Sequence, residues 1–126
     1  MSDSITRLYH DVLDCRLDDP STSRTARLLR SGRSKMAKKL AEEAVEVVID
    51  AMHGDRESVV KESTDLIYHL VVLWVAANIH PDDVWREMQR RERLLGMAEK
   101  VPKKAMEDVS RRRIVVLEGR RTRKRR

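Results

Sequence analysis

The 126-residue chain has no phenylalanine, only two tyrosines and two tryptophans, four glycines and three prolines. So few aromatic and turn-forming residues argue against a sheet-rich fold, which needs both at short intervals. Leu, Val, Ala, Met, Glu, Lys and Arg dominate instead, as they do in helices. The fold class predicted is all-α, and the length suits one domain with one modest core.

A single cysteine, Cys15, excludes an internal disulfide framework and a cysteine-based zinc site, which fits a reducing compartment; Cys15 itself is expected as a half-buried helix residue. The start, "MSDSITRLYHDV", carries acids and no apolar signal region. The longest apolar run, Leu66 to Ala77 broken only by His69, is too short to span a bilayer. A soluble, cytoplasmic protein without membrane contact is expected. Also missing are a Walker-type glycine loop, Gly-x-Gly-x-x-Gly and Gly-x-Ser-x-Gly, so nothing points to those nucleotide or acyl-transfer sites.

Charge is present but lopsided. Residues 110–126, "SRRRIVVLEGRRTRKRR", hold nine Arg or Lys against one Glu, whereas residues 1–109 hold 18 basic against 20 acidic side chains. The overall +6 therefore belongs to the tail. A terminal basic run is ordinarily solvated, and without interleaved aromatics for base stacking a dedicated nucleic-acid arm is not expected.

Apolar residues at helical spacing predict five helices. The first carries Ile5, Leu8, Tyr9, Val12 and Leu13 and ends before "LDDPSTS". The second runs from Thr25 to Arg30, with Thr22 or Ser23 as N-cap and Gly32 just past its end. The third runs from about Lys35 to Met52 and stops at Gly54. The fourth runs from about Asp55 or Arg56 to Ala77. The fifth starts at Pro81, with Asp82 and Asp83 suited to its dipole, and reaches about Leu95. The helical domain is placed at residues 1–96 and a C-terminal extension with the basic tail at 97–126, where "RIVVLEG" could form one short element. The short connection at Gly54 makes the third and fourth helices an antiparallel hairpin. Leu66, Ile67 and Leu70 to Val75 surround the fourth helix on nearly all sides, and such a helix must be covered all round. One chain of this size has little material for that, so a helical bundle completed by a second copy, a homodimer or larger, is expected.

Two stretches resist that simple reading. "KKLAEEAVEVVID" (Lys38 to Asp50) and "KESTDLIYHLVVLWVAA" (Lys61 to Ala77) are mainly apolar, yet Glu43, Glu46, Glu62 and Asp65 are set into them as pairs three residues apart. Residues so spaced share a helix face. Glu43, Glu46 and Asp50 form one stripe, with Glu42 at its edge; Glu62, Asp65 and His69 form another. Across the hairpin the stripes can face each other. Carboxylates about 4 Å apart repel by roughly 4 kcal/mol at an effective dielectric near 20, so the cluster needs positive charge. Lysines could supply it, although Lys39 before Glu43 is the weaker orientation for a helical ion pair. An all-oxygen donor set suits a hard cation, and Mg²⁺ held by few carboxylates ordinarily also binds substrate phosphates. Periodicity alone leaves this reading and an ordinary charged helix face both open.

The absence of any Glu-x-x-His lowers a di-iron or di-manganese oxidase reading and favours phosphate chemistry, in which a metal neutralises charge and activates water. Arg24, Arg27, Arg33, Lys35, Lys38 and Lys39 lie just ahead of the acids to meet the remaining phosphate charge. His69 could orient a ligand or be a core histidine bonded to a carbonyl, and Asp50 a ligand or a surface residue. His53 and His80 fall at helix ends, while Trp74 and Trp85 fall on apolar faces and are expected to pack.

At this point the residues resemble a known family. "EEAVE" from Glu42 and "ESTD" from Glu62 resemble the Glu-Glu-x-x-Glu and Glu-x-x-Asp signature of the all-α nucleotide pyrophosphatases. The surrounding sequence, "DPSTSRTARLLRSGRSKMAKKLAEEAVE" onward to "DVWREMQRR", is similar to the phosphoribosyl-ATP pyrophosphatases of histidine biosynthesis over about residues 8 to 95. The resemblance implies Mg²⁺-dependent hydrolysis of phosphoribosyl-ATP to phosphoribosyl-AMP and pyrophosphate. It implies Glu43, Glu46, Glu62 and Asp65 as metal ligands, Glu42 as a carboxylate that supports the ligands or orients the water, and Lys39 as a phosphate contact; Lys35, Lys38 and Arg24 are expected to bind the substrate from their charge and place alone. The chain departs from the family pattern at Ala41, where glycine is usual, and at Arg24, where an aromatic is usual. Two rivals remain: a related pyrophosphatase acting on free (deoxy)nucleoside triphosphates, and a non-enzymatic helical module binding polyanions through the tail.

Overall fold

The computed structural model describes residues 3–94. They form α1 (Ser4–Asp14), a short 3-10 turn (Cys15–Leu17), α2 (Arg24–Arg30), α3 (Arg33–Met52), α4 (Arg56–Ala76) and α5 (Pro81–Leu94), with no strand among the described residues. The all-α reading holds, and the helix starts fall within two residues of those predicted. The 3-10 turn was not foreseen. It prolongs α1 by a tighter turn that brings in Cys15, which is half-buried as expected. The expected end of the fifth helix at Leu95, the boundary at residue 96, the "RIVVLEG" element and the basic tail lie outside the described residues. Among those described, no helix is long and apolar enough to cross a membrane.

Local chemistry sets the helix ends. At α1, Asp3 Oδ1 accepts from the Thr6 amide at 2.8 Å; at α2, Ser23 rather than Thr22 is the cap, its hydroxyl accepting from the Ala26 amide at 3.1 Å. Asp55 caps α4 through the amide and hydroxyl of Ser58. His80 caps α5 by accepting the Asp82 amide on Nδ1, while Asp83 accepts the His80 amide in return. Such caps satisfy amides that the first turn leaves unbonded. Helices α3 and α4 end alike. The amides of Gly54 and Asp55 bond back to Ala51 and Asp50, and those of Asn78 and Ile79 to Val75 and Trp74. Both endings need a left-handed residue just past the helix, supplied by Gly54 at φ +70° and Asn78 at φ +58°.

The core lies toward one end of the long helices. Val71, Val72, Trp74 and Val75 of α4 are buried, together with Val12 of α1, Ala26 and Leu28 of α2, and Met36 near the start of α3. Helix α4 touches α1, α2 and α3, and its contact with α3 is the most extensive. Each large apolar side chain so buried contributes about 1.5–3 kcal/mol. Sequence periodicity pointed to α4 as the helix short of cover. In the structure α1 and α2 fold over its C-terminal half, and the larger uncovered apolar surface is on α3. Val45, Val48, Ile49 and Met52, at helical spacing, are exposed, Met52 to 81%. Val60 and Ile67 of α4 are exposed as well. The compact unit that holds this core and the site below ends at Val84, within α5.

Candidate active site

Helices α3 and α4 are joined by only His53 to Asp55, so residues on their facing sides meet along the shared length. One carboxylate oxygen from each of Glu43, Glu62 and Asp65 lies within 4.8 Å of the other two. The side chain of Glu43 is only 17% exposed, and its Oε2 is buried without a hydrogen-bond partner among the described residues. Glu46 joins through Glu62: the hydrogen bond it shares with Glu62 raises its pKa, with the Glu62 charge, burial, and the charges of Asp50 and Asp65 adding to the effect. The Glu62 carboxyl is raised too. Its bond to Glu46 draws it down, but a second bond to Glu43, burial, and the charges of Glu43 and Asp65 push it up. Two carboxyl groups can share a hydrogen bond only if one holds a proton. The alternative to proton uptake is a cation, and a partly buried all-oxygen set with an orphaned oxygen fits a hard divalent ion. Three of the four expected ligands thus converge on one space and Glu46 borders it. Glu42 instead pairs with Lys39 at 3.4 Å, and Asp50 enters only as a neighbouring charge on Glu46.

Beside the acids lies a basic cleft of about 170 Å³, lined by Arg24, Arg27, Leu28 and Ser31 from α2 and its end, Lys35 and Lys39 from α3, and His69 from α4. Of the expected phosphate contacts the structure brings Arg24, Lys35 and Lys39 together; Lys38 is exposed and does not line the cleft. Arg27, one of the basic residues offered from sequence to meet the remaining phosphate charge, lines it too, as does Ser31, which the sequence did not single out. Their signal was in the sequence: Arg24, Arg27, Leu28 and Ser31 follow the i, i+3, i+4, i+7 spacing of one helix face. The Arg24 guanidinium stands 5.4 Å from the centre of the Tyr68 ring. The Tyr68 hydroxyl lies 2.6 Å from Thr25 Oγ1, which ties the start of α2 to α4. A cation over an aromatic face contributes about 0.5–1 kcal/mol at an exposed site, enough to bias the Arg24 side chain.

His69 sits between acids and bases. It is 1% exposed, and neither ring nitrogen has a hydrogen-bond partner among the described residues. Its Nε2 lies 3.9 Å from Glu43 Oε1, too long for a hydrogen bond. The carbonyl-bonded core histidine considered from sequence is therefore not what the fold contains. Burial, and then the charge of Arg24, lower its pKa, against the pull of Asp65. Leaving a buried polar atom unsatisfied costs about 1–3 kcal/mol.

The phosphoribosyl-ATP pyrophosphohydrolase family model matches residues 6–92. A relative from Bradyrhizobium diazoefficiens named phosphoribosyl-ATP pyrophosphatase 2 is 61% identical over 99% of both chains. One of the same name from Rhodopseudomonas palustris is 56% identical over the whole of both. A phosphoribosyl-ATP pyrophosphatase from Gluconobacter oxydans is 50% identical over 76% of this chain and 72% of its own. The matched span runs from Thr6 within α1 to Glu92 within α5 and contains the carboxylate cluster and the basic cleft. On these grounds the chain belongs to the phosphoribosyl-ATP pyrophosphohydrolase family.

Proposed function

We propose that this chain hydrolyses phosphoribosyl-ATP to phosphoribosyl-AMP and pyrophosphate, the second step of histidine biosynthesis, with Mg²⁺ as cofactor. The observation that carries this reading is the convergence of Glu43, Glu62 and Asp65, with a buried and unpartnered oxygen on Glu43, directly beside a cleft lined by four cationic side chains. Acids alone would suit many cations, and bases alone many anions. Side by side they suit a cation bound together with a polyphosphate. Glu43, Glu62 and Asp65 would hold the ion, with Glu46 completing the set as Glu62 releases it. Bound there, Mg²⁺ supplies neutralisation of phosphoanhydride charge and activation of water. Arg24, Arg27, Lys35 and Lys39 hold the phosphate oxygens and fix the chain of phosphates relative to the acids. Glu42, one residue before Glu43, would support the ligands or orient the attacking water. Lys39 links the two roles, because it pairs with Glu42 and also lines the cleft.

The scaffold in this reading is the antiparallel hairpin of α3 and α4, completed by a second copy. The exposed Val45, Val48, Ile49 and Met52 on α3, with Val60 on α4, are the surface for that copy, since burying such a stripe is strongly favourable. The protein would act in the cytoplasm as a homodimer.

A substrate panel tests the proposal. Purified chain is given phosphoribosyl-ATP, ATP and deoxynucleoside triphosphates, with Mg²⁺ or with EDTA, and pyrophosphate release is followed. Release from phosphoribosyl-ATP that needs Mg²⁺ and greatly exceeds that from the free triphosphates is the expected result. Equal or faster release from free triphosphates would assign the chain to the related rival activity, and no release from any would overturn the enzymatic reading.

A further inference from the structure

The basic cleft and the carboxylate cluster share one side chain that neither charge pattern explains. His69 lines the cleft with Arg24, Arg27, Lys35 and Lys39, and its ring also approaches Glu43 to 3.9 Å. It is enclosed, at 1% exposure, yet both nitrogens lack a partner among the described residues. An apolar residue of similar size would fill this place in α4 without leaving polar atoms unbonded, as the buried Val71 and Val72 nearby do. A buried polar group left unpaired is unusual enough to require a reason. The fold provides one, because His69 lines the same cleft as the four cations, where phosphate oxygens would be the acceptors.

We infer that His69 contacts the substrate, its ring N–H donating a hydrogen bond to a phosphate oxygen seated in the basic cleft. The contact pins the phosphate chain where cleft and cluster meet, so that one phosphate is held against the Glu43 side of the site. Imidazole suits this position better than lysine or arginine. A fixed cation there would pair with Glu43 and cancel charge that the cluster needs for its metal, whereas a neutral donor binds phosphate without competing. The inference rests on the pyrophosphatase reading for the identity of the substrate, but its phosphate contact can be tested apart from turnover.

The test compares wild type with His69→Leu, His69→Asn and His69→Gln in the full-length chain. Three quantities are measured: binding of inorganic pyrophosphate without metal by calorimetry, the melting temperature, and kcat and KM for phosphoribosyl-ATP with Mg²⁺. His69→Leu should bind pyrophosphate about tenfold or more weakly, as expected for losing a hydrogen bond to a charged group. It should lose kcat/KM by a similar factor and melt no lower than wild type. One of the two amides should restore part of the binding, and which one does so identifies the donating nitrogen. Wild-type pyrophosphate affinity in His69→Leu would overturn the inference, as would a lower melting temperature with neither amide restoring binding, or no binding by wild type at millimolar pyrophosphate. If wild type binds pyrophosphate through His69 but does not hydrolyse phosphoribosyl-ATP, the proposed function fails and the phosphate contact stands.

Discussion

The two halves of α4 have opposite chemistry on one continuous helix. From Leu70 to Val75 the helix is covered by α1, α2 and the start of α3, and its buried side chains are almost all apolar. From Arg56 to Ile67 it carries Glu62 and Asp65 toward α3 and leaves Val60 and Ile67 exposed. One half holds the helix in place, and the other uses that placement to keep carboxylates together that would otherwise separate. Mutual repulsion in the acidic half is tolerated because packing in the other half does not depend on it.

The largest expected effect falls on the packed half. Trp74→Ala should destabilise the fold by about 3–5 kcal/mol in urea unfolding, while molecules that remain folded keep their turnover. Lost turnover in a fully stable variant would show that the halves are not separable in this way. In the acidic half, Asp65→Asn and Glu46→Gln should each lower turnover at least about a hundredfold, roughly 2.7 kcal/mol of barrier, with helical circular dichroism unchanged. Near-normal pyrophosphate release from either variant would remove that residue from the site. Next comes the uncovered surface. Val48→Asp on α3 should weaken self-association at least about tenfold and give a 14.7 kDa species by light scattering at micromolar concentration. If wild type already has that mass, the second copy is not part of the molecule.

A smaller effect concerns pH in the metal-free protein. Glu46 and Glu62 are raised above the ordinary 4.5 in the fold. Their contribution to stability is therefore fully present below that value and lost as pH rises through the raised pKa values. Melting curves should show Glu46→Gln gaining on wild type as pH increases through this window, with Mg²⁺ closing the gap. A gap that narrows with rising pH, or one that Mg²⁺ leaves intact, would contradict the account of the cluster. The smallest effect is at the tail. Ending the chain at Val109 removes nine basic side chains and one acid, and should change apparent substrate affinity only severalfold, in a manner lost at high salt.

The carboxylates were legible in the sequence because they interrupt apolar stretches, where a charge without a task is costly. The helix starts were legible because their signals are local: Ser23, Asp55 and Pro81 each act within one turn of themselves. What could not be read depended on which helices lie against which. Periodicity shows that α4 is apolar all round, but not that α1 and α2 cover its C-terminal half and leave the stripe on α3. It places Glu42 beside the acidic stripe, but not in an ion pair with Lys39. Arg24 and Arg27 read as charge for the phosphates, but not as one wall of a cleft that Ser31, Lys35, Lys39 and His69 complete. That His69 lacks a partner on both nitrogens among the described residues is a property of its surroundings, which no spacing rule encodes.

Gly32 joins the cap of α2 to the first turn of α3 with φ at +96°, and this has a consequence for the order of assembly. Five of the six charged and polar side chains of the cleft lie between Arg24 and Lys39, so its walls are brought together by closing a short loop around one residue. The carboxylate cluster requires α3 and α4 to align along their length after the turn at Gly54. Loop-closure entropy grows with chain separation, and local contacts form sooner than distant ones. During folding an anion pocket can thus be in place before the cation site is complete. Inorganic pyrophosphate or phosphate in the refolding buffer would then act on an early step, speeding the appearance of the native state more than it slows its loss.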